Sequence, residues 1–285
     1  MAAPSVRRRR LAAELGALRE RAGLKQTDVV ARIPGDHTAT WLSRIEGARL
    51  GVKPAELSAI LDLYGLLDAD KRDVLLSLAR DGAQRGWWQT YSDIISPAYS
   101  ELIALEADAK CLRSFQSLLL PGLLQTPAYA RASISAINMT SSAEDVSRLV
   151  EVRIARQSVL TRPEPLDVWA IIYEGALRPK LADPRIMTGQ YQRLLDLIEY
   201  PSVSIQVIPF DAPLHPGISG PFTVLGFPES ADLDVVHVEG LASALYVEAP
   251  VDVAVYNSAF EQLRAYALPF APSADLIAKL KKEQS

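Results

Sequence analysis

The chain has 285 residues, 49% of them hydrophobic, which is enough to bury a core in one large domain or two ordinary ones and excludes disorder as the dominant state. Its single cysteine, Cys111, and three well-separated histidines, His37, His215 and His237, exclude an internal disulfide and any metal-ligand spacing; no metal and no cofactor is expected. The formal charge of −4 conceals a division: residues 1–53 carry eleven Lys and Arg against five Asp and Glu, a net +6, so the remainder sums to −10. A basic module on an acidic body is the asymmetry expected where one end of a chain meets a polyanion.

The N-terminal stretch MAAPSVRRRR runs into arginines without an apolar signal-type segment, and no apolar run approaches the roughly 18 residues of a membrane span. A cytoplasmic protein without a membrane partner is expected. Leu11, Leu15, Leu18 and Ala22 recur at helical spacing before Gly23 and predict an amphipathic helix over about residues 6–22. LKQTDVVARI predicts a second, with Val29, Val30 and Ile33 as its apolar stripe, and PGDH breaks it. TATWLSRIEGAR predicts a third, with Leu42 and Ile45 inward and Thr38, Ala39, Thr40, Ser43 and Arg44 on the opposite face. Short or polar side chains on that face let a helix backbone approach a surface closely, as in a DNA major groove. PAELSAILDLYG opens with a proline and stops at Gly65, and DADKRDVLLSLARDG is capped at Asp68 and runs to about Asp81. Five short helices place a first domain at residues 1–83.

The character then changes. WWQTYSD falls in a hinge at 84–98, where Trp87 and Trp88 read either as a plug between domains or as an aromatic wall for an effector. Helical patterns over 99–116, 127–138 and 143–162 precede the β-type runs LDVWAIIY, SVSIQVIPF, PFTVLGF, LDVVHVEG and ALYVEA, interrupted by a helix near 184–199; DVAVYNSAFEQLRAYAL and SADLIAKLKKE are helical again. The expected fold is multi-domain α and α+β, with a larger α+β domain at 99–285. His215 lies in a Pro- and Gly-rich loop suited to a binding residue, and His237 alternates with valines as a solvent-facing strand position. No nucleophile elbow, phosphate-cradling loop or paired-carboxylate motif accompanies them, so no enzyme is expected. Cys111, in an apolar helical pattern, reads as a packing residue.

RRRRLAAELGALRERAGLKQTDVVARI and TWLSRIEGARLGVKPAELSAILDLYGL resemble the helix-turn-helix domain of the XRE (Cro/cI-like) family of transcriptional regulators. RGWWQTYSD, YSELIALEADAKCLRSFQSLLLPGLLQTPAYARA and FEQLRAYAL are similar to its actinobacterial WhiJ-type branch, whose C-terminal domain is of poorly defined function. The resemblance implies that Gln26 and Thr27 reach DNA phosphates and that Thr38, Ala39, Thr40 and Arg44 face bases; Ser43 and Arg49 complete the candidate DNA-contacting set. Arg44 is the side chain among them able to make a bidentate contact with guanine. Glu46 is implied to pair internally with Arg19. The chain departs from the family pattern in its longer PGDH turn and in Trp41. The implied protein is a repressor that binds a palindromic double-stranded operator as a homodimer. Its C-terminal domain responds to a small-molecule effector or to a small acidic, BldB-like partner protein, with Trp87, Trp88 and His215 as candidate contacts. Two alternatives stand beside it: an antitoxin-like binder of such a partner that uses DNA for autoregulation, and an enzyme fused to a DNA-binding module.

Overall fold

The computed structural model describes residues 4–80, 86–137, 141–227, 234–241 and 243–284. The boundary drawn between residues 83 and 84, the ends of the predicted helices at Asp81 and at residue 138, Arg85 of the RGWWQTYSD segment and Leu233 of one β-type run lie outside the described residues. The chain divides into two compact units, Met1–Gly86 and Trp87–Ser285.

The first unit is a bundle of α1 (Val6–Arg21), α2 (Gln26–Val30), α3 (Ala39–Glu46), α4 (Pro54–Leu63) and α5 (Ala69–Arg80). Leu11, Leu15 and Leu18 of α1 meet Val29, Leu42, Ile45, Leu57, Ile60, Leu61 and Leu75 in one core. α2 is shorter than the sequence pattern predicts. Ile33 precedes Pro34, which disfavours helical backbone at the residue before it, so Ile33 reaches the core from a turn. Gly35 follows with φ 111°, a backbone conformation that favours glycine, and a Cβ there would displace the His37 ring, whose Nε2 would stand 2.6 Å away.

The second unit is built on a six-stranded sheet of order β3-β2-β1-β4-β5-β6. Its strands are β1 (Cys111–Gln116), β2 (Asp167–Tyr173), β3 (Val203–Ile208), β4 (Phe222–Gly226), β5 (Val235–Glu239) and β6 (Ala244–Val247). β1, β2 and β3 run parallel, and β4, β5 and β6 continue antiparallel from β1. The helices are α6 (Pro97–Asp108), α7 (Pro127–Ile137), α8 (Ala143–Ala155), α9 (Pro184–Ile198), α10 (Pro250–Tyr266) and α11 (Phe270–Glu283). α10 covers one sheet face, its Val253, Phe260 and Leu263 joining Phe115, Ile171, Ile208, Phe222, Val224 and Val236. α11 packs on β3 and α9.

Two expectations are corrected here. Residues 111–116 do not continue the preceding helix but form β1 in the middle of the sheet, so Cys111 lies on a strand. Leu112 and Phe115 lie three apart, a helical spacing that in a strand puts them on opposite faces; both are buried, and pairing on both sides by β2 and β4 makes the segment a strand. Cys111 stands opposite Gly226, where a Cβ would lie 2.4 Å from its sulfur. His237 is not solvent-facing: it is buried on β5, across from Thr223 and Tyr246, with its ring centroid 5.1 Å from that of Tyr246. Valines alternating with a polar residue mark a half-buried strand only where one face is wet, and at this point of β5 both Val236 and His237 are buried.

Burial lowers the His237 pKa to about 4, against the raising influence of Glu239 and helped by Arg156. Since the folded value lies below the unfolded one, the neutral imidazole contributes stability that is present above about pH 6.5 and is lost as pH falls toward 4. Urea unfolding across this window should show a loss of roughly 3 kcal/mol attributable to His237. A His237→Gln chain with an unchanged slope between pH 6.5 and 4 would exclude it.

Candidate nucleic-acid interface

α3 starts where Thr38, in extended backbone, accepts from Trp41 N at 3.3 Å through its Oγ1. Its C-terminal turn closes by Gly47 N to Ser43 O at 2.9 Å and Arg49 N to Arg44 O at 2.8 Å, with Ala48 in the left-handed region at φ 55°. Leu42 and Ile45 are buried, which turns Thr40, Ser43 and Arg44 outward on the opposite side; all three are exposed, as are Thr27, Thr38 and Arg49, while Ala39 is half-buried. Among the described residues no ion pair engages Lys25, Arg32, Arg44 or Arg49, so this face carries uncompensated positive charge.

The end of α3 is tied down by its last side chain. Glu46 takes Arg19 Nε at 2.7 Å and Arg19 Nη2 at 3.1 Å, a fork-to-fork pair, and Gln26 Nε2 at 2.8 Å. Arg19 Nη1 also donates to Leu24 O at 2.9 Å. The pair is largely buried, and the hydrogen bond to Glu46 raises the Arg19 pKa against the cost of burial. Beside it, burial raises the Tyr64 phenol pKa, with Glu46 adding to the rise. One carboxylate thus joins α1, α2 and α3. Gln26, expected at a phosphate, is half-buried with its amide nitrogen turned to Glu46 instead. Thr38 serves as the cap. His37 stacks on Trp41 with centroids 3.9 Å apart and planes at 19°, and Trp41 packs on the bundle core. Of the N-terminal arginines, Arg10 is buried within α1.

The candidate contacts of the second unit do not come together. Trp87 and Trp88 open a short 3-10 turn, Trp87–Tyr91, with centroids 6.0 Å apart and edge to face. His215 instead caps the turn Pro216–Ser219, its Nδ1 accepting from Gly217 N at 3.2 Å, among Phe115, Tyr173 and Tyr266. Burial lowers its pKa. Sequence reasoning missed a buried polar network nearer the tryptophans. Arg156 Nη2 donates to Glu106 Oε1 at 2.9 Å and Arg156 Nη1 to Tyr99 Oη at 2.8 Å; Arg153 reaches Tyr99 Oη at 3.0 Å and Gln125 Oε1 at 2.9 Å. Burial opposes the Arg156 charge, but Glu106 outweighs it and the guanidinium pKa rises. The available signal was Glu106 itself, a carboxylate in register with Leu102, Ile103 and Leu105 on the apolar face of ELIALEAD.

Residues 99–279 match the domain of unknown function DUF5753. The chain belongs to the DUF5753 family. Residues 10–75 match a helix-turn-helix domain and span the core of the first unit from α1 into α5. No curated protein and no solved structure matches the chain. The DUF5753 protein is therefore a helix-turn-helix DNA-binding regulator with its family-defining domain attached C-terminally. No helix among the described residues is long and apolar enough to cross a membrane, and no group of three or more His, Cys, Asp or Glu among them is placed to hold a metal.

Removing either Arg19 or Glu46 leaves the other charge largely buried, at an expected cost of about 2–4 kcal/mol. Removing both should cost less than the two losses combined, by about 1–3 kcal/mol in a double-mutant cycle read by chemical denaturation. Additive losses would show that the contact carries no coupling.

Proposed function

We propose that the protein is a WhiJ-type transcriptional repressor that binds a palindromic operator as a homodimer and is controlled through its second unit by binding, without catalysis. The observation that carries the reading is the outward face of α3, where Thr40, Ser43 and Arg44 stand exposed and Arg44 is free of any acidic partner among the described residues, on a helix pinned by Glu46. A guanidinium held this way suits bidentate recognition of guanine, with Thr27 and Arg49 at phosphates. An eight-residue reader covers few base pairs, which favours two copies on half-sites about one helical turn apart. The exposed Val251 and Val255 on the outer side of α10 supply apolar surface for a pair of second units. A binding role without chemistry is supported by the histidines: His215 is spent on a turn and His237 is sealed in the sheet.

A second reading, an antitoxin-like hold on a small partner protein with DNA binding for autoregulation, is favoured by Phe210, Leu214 and Ile218, all exposed on one loop. Gel shifts on the protein's own upstream region, with and without the small acidic or BldB-like protein, separate the two.

Arg44→Ala should weaken specific binding by about 1–3 kcal/mol while leaving the salt dependence of non-specific binding nearly unchanged. An operator footprint as tight as the parent's would remove Arg44 from base reading. A chain ending at residue 86 should bind much more weakly, because the second reader is no longer tethered.

A further inference from the structure

A cleft of about 460 Å³ opens inside the second unit, lined by Trp87, Trp88, Ile103, Arg156 and Arg162 among others. Its volume falls within the roughly 300–1,000 Å³ of small-molecule sites. Trp87 remains 39% exposed although it belongs to the aromatic cluster in which Trp88 and Tyr91 pack on Ile95, Ile103 and Val152. Indole surface at the rim of an aromatic cluster is a place where a flat apolar body gains both burial and ring contact.

The charge in the cleft is one-sided. Arg156 is matched by Glu106, the two side chains approaching to 2.6 Å. Arg162 is matched by no carboxylate among the described residues. It is held entirely by backbone: Nε donates to Glu164 O at 2.6 Å, Nη2 to Ala109 O at 2.8 Å and Nη1 to Ala107 O. Ala107 and Ala109 flank the end of α6, so Arg162 closes that helix while keeping its full charge and two of its five N–H groups. A guanidinium fixed by backbone carbonyls, without a carboxylate partner among the described residues, in a cleft that two indoles also line is pre-organised for a carboxylate on an aromatic frame, since its ordering is complete before the ligand arrives.

We propose that this cleft is the effector site of the regulator and takes a small organic anion with a flat aromatic body, its carboxylate on Arg162 and its ring against Trp87 and Trp88. The proposal rests on the reading of the second unit as a binding module. Isothermal titration of the full chain with 1-naphthoate, followed in parallel by tryptophan fluorescence, tests it. Saturable binding at one site per chain is expected, weakened at least about tenfold for the neutral 1-naphthamide and in Trp87→Ala, as the loss of one charge-assisted contact or one ring contact requires. Arg162→Lys, which keeps the charge but loses the planar fork, should also weaken binding, and thermal melting establishes that both variants fold. The absence of saturable binding overturns the proposal, as does undiminished affinity for 1-naphthamide or undiminished affinity of Trp87→Ala for 1-naphthoate. Naphthoate failing to bind a protein that still shifts its operator removes the cleft and leaves the regulator standing; specific naphthoate binding by a protein that shifts no DNA does the reverse.

Discussion

A helix of eight residues is far below the length at which helices are stable alone, and α3 buries only Leu42 and Ile45 in the bundle. Leu42, Ile45 and the half-buried Trp41 hold such a helix down and turn its opposite face outward, but apolar contact alone does not tie its end to a neighbour. Glu46 supplies the missing constraint: it accepts from Arg19 on α1 and from Gln26 at the first position of α2, so the end of α3 is tied to both neighbours by directional bonds. Directional bonds to a charged group fix orientation where apolar contact fixes only proximity. Together with the burial of Leu42 and Ile45, that carboxylate holds the outward face, Arg44 included, in place.

The second unit uses the same device at greater depth. Its parallel half needs long crossovers, and the one between β1 and β2 occupies residues 117–166. Irregular backbone within such a connection must be satisfied internally. In LLPGLLQTPAYARA, Gln125 Nε2 donates to Leu120 O at 2.8 Å, Leu120 N to Tyr129 Oη at 3.3 Å, and Gln190 from α9 bonds both Thr126 N and Leu124 O. Arg153 and Arg156 then join this segment to Tyr99 and Glu106 of α6. The buried charges are retained inside a closed set of partners, which is what burial of a guanidinium demands.

Much of this was legible in the sequence. Apolar spacing located α1 and α3, the start and stop signals Pro54, Gly65 and Asp68 located α4 and α5, and β-type runs located β2 through β6, because in those segments local pattern and tertiary burial agree. They disagree in CLRSFQ, whose two large apolar residues lie three apart; only its neighbours on both sides make it a strand, and neighbours distant in sequence are invisible to a local pattern. His237 departs from its pattern for the same reason: alternation predicts a wet position, whereas the ring is buried against Tyr246 on the neighbouring strand. Arg19 and Glu46, 27 residues apart, meet as the family resemblance implied, but the turn of Gln26 toward that carboxylate was not legible, being decided by geometry around the pair.

The contact between β1 and β4 also constrains how this chain can change. Cys111 and Gly226 face each other across the central strand pair, and the sulfur fills the volume that a side chain at 226 would need. Neither position is free to drift by itself. A larger residue at 226 is compatible with this sheet only after 111 has shrunk, and a shrunken 111 leaves a void until 226 has grown. Related sequences that keep the sheet are thereby expected to vary at these two sites jointly, so that the only thiol in the chain is held in place by the absence of a side chain 115 positions away.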